Sequence, residues 1–171
     1  MEQEKLSFRH TISLYVANKP GVLNRIALVF SRRGYNIDSL VVSESNDPDF
    51  SQMNIVASGD KETLDQILNQ LNKLIDVVSA KDYSGEDVIQ KELALIKILC
   101  PPDKRTEVLQ ISQAFRAETV DLTQETLTLQ VTGKTEKIDA LKTMLEPFGI
   151  REIVRTGKVL ITRGNKRTSK N

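Results

Sequence analysis

Apolar and polar residues alternate from Thr11 to Val16, with Ile12, Leu14 and Val16 set against Thr11, Ser13 and Tyr15. That two-residue period predicts a strand with unlike faces. After the breaker Asn18-Lys19-Pro20-Gly21, the residues Val22, Leu23, Ile26, Ala27 and Phe30 recur at helical spacing up to Arg32-Arg33-Gly34, a positive last turn followed by a glycine cap. The run from about Tyr35 to Glu44 predicts a second strand. Ser45 to Asp49 reads as a loop, and Gln52 to Ala57 as a third strand. Ser58-Gly59-Asp60 offers a helix start, with Leu64, Ile67, Leu68 and Leu71 on one face, and the apolar run Leu74 to Val78 comes next as the fourth strand.

The second half repeats this order. A strand across Glu92 to Leu99 precedes a helix with Val108, Ile111, Ser112 and Phe115 in register. Strands near Glu118 to Leu122 and Thr126 to Val131 come next, then a helix through Ile138, Leu141 and Leu145, and a closing strand near Ile150 to Val154. The letters repeat as well: the segment from Ser58 to Ile67 aligns without a gap on that from Thr132 to Leu141, Gly59 falling on Gly133. The expectation is an α+β chain of two tandem ferredoxin-like βαββαβ domains, the product of duplication. The polar stretch Lys81 to Asp87 marks the boundary, giving domains at 8–83 and 84–162 and a basic, mobile tail at 163–171. Each unit puts both helices on one sheet face and leaves the other to be covered by something else. With apolar residues on both faces of the second strand, Leu40 and Val42 against Ile37 and Val41, the expected cover is self-association or the other domain.

Composition narrows the function. The chain has 171 residues, 39% hydrophobic and 27% charged, which fits a globular protein. Lys plus Arg number 24 against 23 for Asp plus Glu, so the net charge of +1 offers little attraction to nucleic acid or anionic lipid. Aromatic residues make up only 5% and tryptophan is absent, which argues against an RNA-binding sheet of the same topology. Short apolar runs and a polar start, MEQEKLSFRH, show neither a membrane span nor a secretory signal, so the protein is expected to stay where it is made.

A catalytic inventory is poor. Cys100 is the single cysteine and His10 the single histidine, so a Cys/His zinc site cannot be assembled; Cys100 reads as a buried thiol and His10 as a surface or sheet residue. Carboxylates such as Glu62, Asp65, Glu136 and Asp139 fall on helix faces, and the glycines match neither a phosphate loop nor a dinucleotide fingerprint. The best candidate site is the first strand-to-helix turn, Asn18 to Leu23. Its proline fixes the entry, its glycine lets a ligand approach the backbone, and the first helical N–H groups point outward. An amino acid suits it, with the carboxylate on those N–H groups and the amino group near the Asn18 side-chain oxygen. On spacing alone, a tight turn that merely starts a helix accounts for the same residues.

The first half, and above all the run FSRRGYNIDSL at Phe30 to Leu40 behind the Asn-x-Pro-Gly-Val-Leu turn, resembles the ACT domain of the small regulatory subunits of acetolactate synthase. The second half, from KELALIKI to REIVRTGKVLITRG, is similar to that family's carboxyl-terminal domain. The resemblance implies a chain without catalysis of its own that binds the large subunit, activates it and makes it sensitive to valine or another branched-chain amino acid. It places no cofactor in this chain; thiamine diphosphate, magnesium and FAD belong to the large subunit. It implies effector contacts at Asn18 and Gly21 and the backbone of Val22 and Leu23, facing Asn36 and Ile37 of a second protomer across a homodimer of the first domain. It further implies a cytoplasmic protein in bacteria, or a stromal one if plastid-encoded. The second copy has Cys100-Pro101-Pro102-Asp103 at its turn and no Gly-Tyr-Asn, so it is expected to lack the effector site. A free-standing amino-acid sensor serving another enzyme is the alternative.

Overall fold

The computed structural model describes residues 8–168; the polar start before Phe8 and the last three residues of the expected tail lie outside them. The first unit contains β1 (Phe8–Ala17), α1 (Val22–Ser31), β2 (Asn36–Glu44), β3 (Phe50–Gly59), α2 (Lys61–Leu71) and β4 (Val77–Asp82). Its strands form an antiparallel sheet in the order β2-β3-β1-β4. Ile12, Leu14 and Val16 of β1 and Met53, Ile55 and Ala57 of β3 are buried against Ile26 and Phe30 of α1 and Leu64, Ile67 and Leu71 of α2. The period-two and helical-period patterns therefore meet in one core.

The second unit contains β5 (Val88–Leu99) from Gln90 onward, α3 (Arg105–Ala114), β6 (Glu118–Leu122), β7 (Thr126–Gly133), α4 (Thr135–Leu145), a 3-10 turn at Glu146–Phe148 and β8 (Ile150–Arg155). The order β6-β7-β5-β8 repeats the first sheet. Its core joins Ala94, Ile96, Ile98, Leu127, Leu129 and Val131 to Val108, Ile138, Leu141 and Leu145, with Cys100 fully buried among them. Both units have the expected βαββαβ order.

The irregularities repeat too. A bulge separates Ile37 from Ser39 where β2 meets β3, and another separates Thr119 from Asp121 where β6 meets β7. A second pair of register shifts falls at Tyr15/Val16 in β1 and Lys97/Ile98 in β5. Shared bulges at matching places are what a duplicated unit retains.

The structure departs from the sequence reading in several places. The fourth strand begins only at Val77: Leu74 closes a turn onto Leu71 and packs on the core, while Ile75 is 98% exposed. The bulge shifts the alternation of β2, so that Ile37 joins Leu40 on the core side instead of facing away with Val41. The first compact unit runs to Ile89 and includes the chain again from Lys158, so the expected boundary at 83/84 lies inside it. An additional strand, β9 (Val159–Thr162), pairs with β5, and its Leu160 packs with Tyr83 and Val88.

The segment after β9 is hydrogen-bonded through Thr168 instead of trailing free. Thr162 binds Lys166 and Thr168, Tyr83 donates to the Thr168 carbonyl, and Arg163 pairs with Asp87 at 2.9 Å. Tyr15 and Gln52, on the helix-free face of the first sheet, line one cavity of about 580 Å³ with Leu160, Ile161 and Thr168. Part of the cover expected for that face thus comes from the chain's own closing segment. Among the described residues, no helix is long and apolar enough to cross a membrane.

Candidate functional site

Gly21 stands at the head of α1 with φ of 82°, a left-handed conformation in which a side chain is strained. Glycine has no side chain with which to accept from the first-turn N–H groups, and among the described residues no side chain caps α1; those of Leu23 and Asn24 have no carbonyl four residues back within the helix. They carry the positive end of the helix dipole. By contrast, α2 is closed by Asp60, whose carboxylate accepts from the Thr63 N–H at 2.8 Å. Beside the turn, Arg25 pairs with Asp76 at 2.6 Å, and its guanidinium borders the space over Gly21.

Asn18 is fixed at both ends. Its backbone N–H donates to the Asp49 carbonyl at 2.8 Å, and its side-chain nitrogen donates to the Pro48 carbonyl at 3.0 Å. With the nitrogen turned to the β2–β3 loop, the amide oxygen is the acceptor the residue has left to offer. Val22 is buried and its N–H bonds to the Lys19 carbonyl at 3.4 Å, so it has little to offer a ligand, whereas Leu23 is 44% exposed.

Asn36 opens β2 opposite Ser58. The entry is set by Gly34 at φ 65° and by the Tyr35 N–H, which bonds back to the Phe30 carbonyl and closes the end of α1. Tyr35 is buried, and its hydroxyl donates to the Asp60 carbonyl at 2.7 Å. Burial first, then the nearby carboxylates of Asp60, Asp82 and Asp65, push its phenol up to about 12. Asn36 is exposed, but Ile37 turns its side chain into the core.

The expected effector residues therefore form two groups. Asn18, Gly21, Val22 and Leu23 lie at the start of α1, and Asn36 and Ile37 just beyond its end. Ten residues of helix separate them by about 15 Å, too far for both groups of one copy to hold the same small molecule. His10, 5% exposed, is a buried sheet residue, not a surface one, near the Gly59 carbonyl and Asp82. Among the described residues, no three His, Cys, Asp or Glu side chains converge as a metal site requires.

Two family models match the chain: one for the ACT domain of "AHAS small subunit-like" proteins over residues 12–79, and one for the small subunit of acetolactate synthase over residues 91–164. A probable acetolactate synthase small subunit of Archaeoglobus fulgidus is 42% identical over 159 residues, covering 93% of this chain and 99% of its own. The chain belongs to the acetolactate synthase small-subunit family. The small subunit of Mycobacterium bovis is 46% identical over 155 residues, 91% of this chain and 92% of that one. The crystal structure of the Thermotoga maritima small subunit superposes with a TM-score of 0.82 at 37% identity, covering 93% and 99% of the two chains.

Within this small-subunit fold, sequence reasoning missed Asp38. It is the extra residue of the β2 bulge, and its carboxylate accepts from the Asn36 side-chain nitrogen at 2.8 Å, from Arg9 at 3.4 Å and from the Ser58 hydroxyl. Burial raises its carboxyl, but the hydrogen bonds from Ser58, Asn36 and Arg9, with the Arg9 charge, outweigh this and hold it below the usual carboxylate range. The spacing Asn36-x-Asp38 was a visible signal, since residues two apart in a strand share a face. The bulge that joins them to Ser58 and Arg9 was not.

Proposed function

We propose that this chain is the regulatory subunit of an acetolactate synthase. It associates with a catalytic large subunit, raises its activity and makes it sensitive to valine or a related branched-chain amino acid, with no chemistry of its own. The thiamine diphosphate, magnesium and FAD of that reaction are held by the large subunit. The effector sits between two copies of the first unit, the Asn18–Leu23 turn of one facing Asn36 and the backbone of Ile37 of its partner.

The observation that carries this reading is the separation of the two residue groups across α1. One copy presents half a site at each end of the helix, and a symmetric dimer brings unlike halves together twice. The uncapped N–H groups at the turn suit a carboxylate, and the amide oxygens of Asn18 and Asn36 suit an ammonium. Effector binding across the interface stabilises one dimer arrangement, and the large subunit responds because it binds the other arrangement better.

The test is acetolactate formation by the cognate large subunit alone, with this protein, and with this protein plus valine. Activation followed by valine inhibition that Asn36→Ala removes supports the assignment. Absence of any effect of the wild-type chain overturns it and leaves a free-standing sensor of amino acids in its place.

A further inference from the structure

We infer that Asp38 is a positioning residue for effector recognition: it ties back the amide nitrogen of Asn36, so that Asn36 offers its oxygen to the ammonium group of a bound amino acid. This rests on the effector reading above and adds to it the direction in which the ligand lies.

An ionised carboxylate can only accept hydrogen bonds, so the atom of Asn36 that lies 2.8 Å from Asp38 must be the nitrogen. The amide orientation is thereby fixed by chemistry, and the oxygen on the opposite side of the same carbon points away from Asp38. Three donors hold the Asp38 carboxylate in place: Asn36 itself, the Ser58 hydroxyl on the neighbouring strand and the Arg9 guanidinium from β1. The bulge between Ile37 and Ser39 is what allows this. If β2 ran in regular register with no bulge, Asp38 would take the place of Ser39 opposite Val56, and Leu40 would lose its core position opposite Ile55.

The second unit supplies an internal control. Its bulge is at the same place, but the residues there are Glu118, Thr119 and Val120, with Val120 half-exposed where Asp38 stands in the first. The amide and the carboxylate that holds it are absent together. Conversely, Asn18 in the first unit has its nitrogen tied to the Pro48 carbonyl in the same manner. Both amides of the proposed site thus have a pinned nitrogen and an oxygen left for a donor, and only the ammonium end of an amino acid supplies one.

The experiment compares L-valine with 3-methylbutanoate, which keeps the carboxylate and side chain but lacks the ammonium. Both are titrated, up to millimolar concentrations and with NMR detection, into the full-length wild-type protein, Asp38→Ala and Asp38→Asn. The expected result is that Asp38→Ala lowers the preference for L-valine over the deaminated acid by about tenfold, the loss of one hydrogen bond to a charged group. Asp38→Asn retains an oxygen that can accept from Asn36 and should recover part of that preference.

Equal weakening of both probes by Asp38→Ala, no change in their ratio, or no recovery with Asp38→Asn overturns the positioning role. The ligand-free spectra separate this outcome from failure of the effector reading. Faster exchange of the Asn36 side-chain amide protons in Asp38→Ala establishes that Asp38 holds the amide. A wild-type protein that shows this pinning but binds neither probe overturns the effector reading, and the recognition role of Asp38 with it.

Discussion

The two units share a fold and the irregularities within it, yet they treat the same two loops differently. At the strand-to-helix turn, the first unit has Asn18 bonded to the β2–β3 loop, a left-handed Gly21 and an open helix start. The second buries Cys100, whose N–H bonds to the Glu125 carbonyl, and sends Arg105 back to cover the carbonyls of Thr123 and Gln124. At the helix-to-strand turn, Gly34 at φ 65° and Arg116 at φ 51° make the same left-handed step, and the next N–H, of Tyr35 or Ala117, bonds back into the helix in both. Beyond that step the units part: Asn36 is held by Asp38 in one, and Glu118 leads to Val120 in the other. The backbone devices of a duplicated unit persist because the core demands them, while the groups offered outward are free to diverge.

The largest expected effect breaks the equivalence at those outward groups. Asn36→Ala should weaken valine binding by about 10- to 100-fold, the range for a hydrogen bond to a charged group, while Glu118→Ala at the matching strand start should leave it unchanged. Calorimetric titration of the two variants checks this; equal losses would show that both units contribute to binding.

Next in size is the pair of glycines that close β3 and β7. A Cβ at Gly59 would overlap the buried Tyr35 ring, whereas at Gly133 it meets the flexible Lys137 side chain. Gly59→Ala should destabilise by about 1–3 kcal/mol, as overpacking does, and Gly133→Ala by clearly less. Denaturant unfolding of the two variants reads the difference.

The left-handed step gives a smaller contrast. Gly34→Ala meets no atom of the described residues within 4 Å of its new Cβ, so its cost is that of the backbone, about 1–2 kcal/mol. Arg116→Gly should gain no more than about 1 kcal/mol, because the relieved strain is partly offset by a more flexible unfolded chain. Thermal unfolding should move the two variants in opposite directions.

The last contrast is a pH dependence of the first unit, absent at neutral pH. The Tyr35 phenol is raised in the folded state from 10.0 to about 12, so the folded form holds its proton more tightly than the unfolded one. Its contribution to stability is complete below pH 10 and is lost as the pH rises toward 12. Tyr35→Phe should flatten the fall in stability across that interval, measured by chemical unfolding at a series of alkaline pH values.

Local pattern was enough to read the element order of both units and its repetition, the core faces of β1, β3 and the helices, and the breaker at the Asn18–Leu23 turn. These depend on short-range periodicity and on residues such as proline and glycine, whose backbone preferences act locally. Three other features arise from long-range contacts alone. Ile37 lies on the core side because a bulge adds a residue and reverses the alternation after it. The chain returns from Lys158 to the first unit through β9, a four-residue strand with no pattern of its own that takes its meaning from pairing with β5. Asp38 joins Asn36, Ser58 and Arg9 in a cluster drawn from three strands of the sheet. Contacts between residues far apart in the chain depend on register, and a single inserted residue resets register without leaving a mark in composition or period.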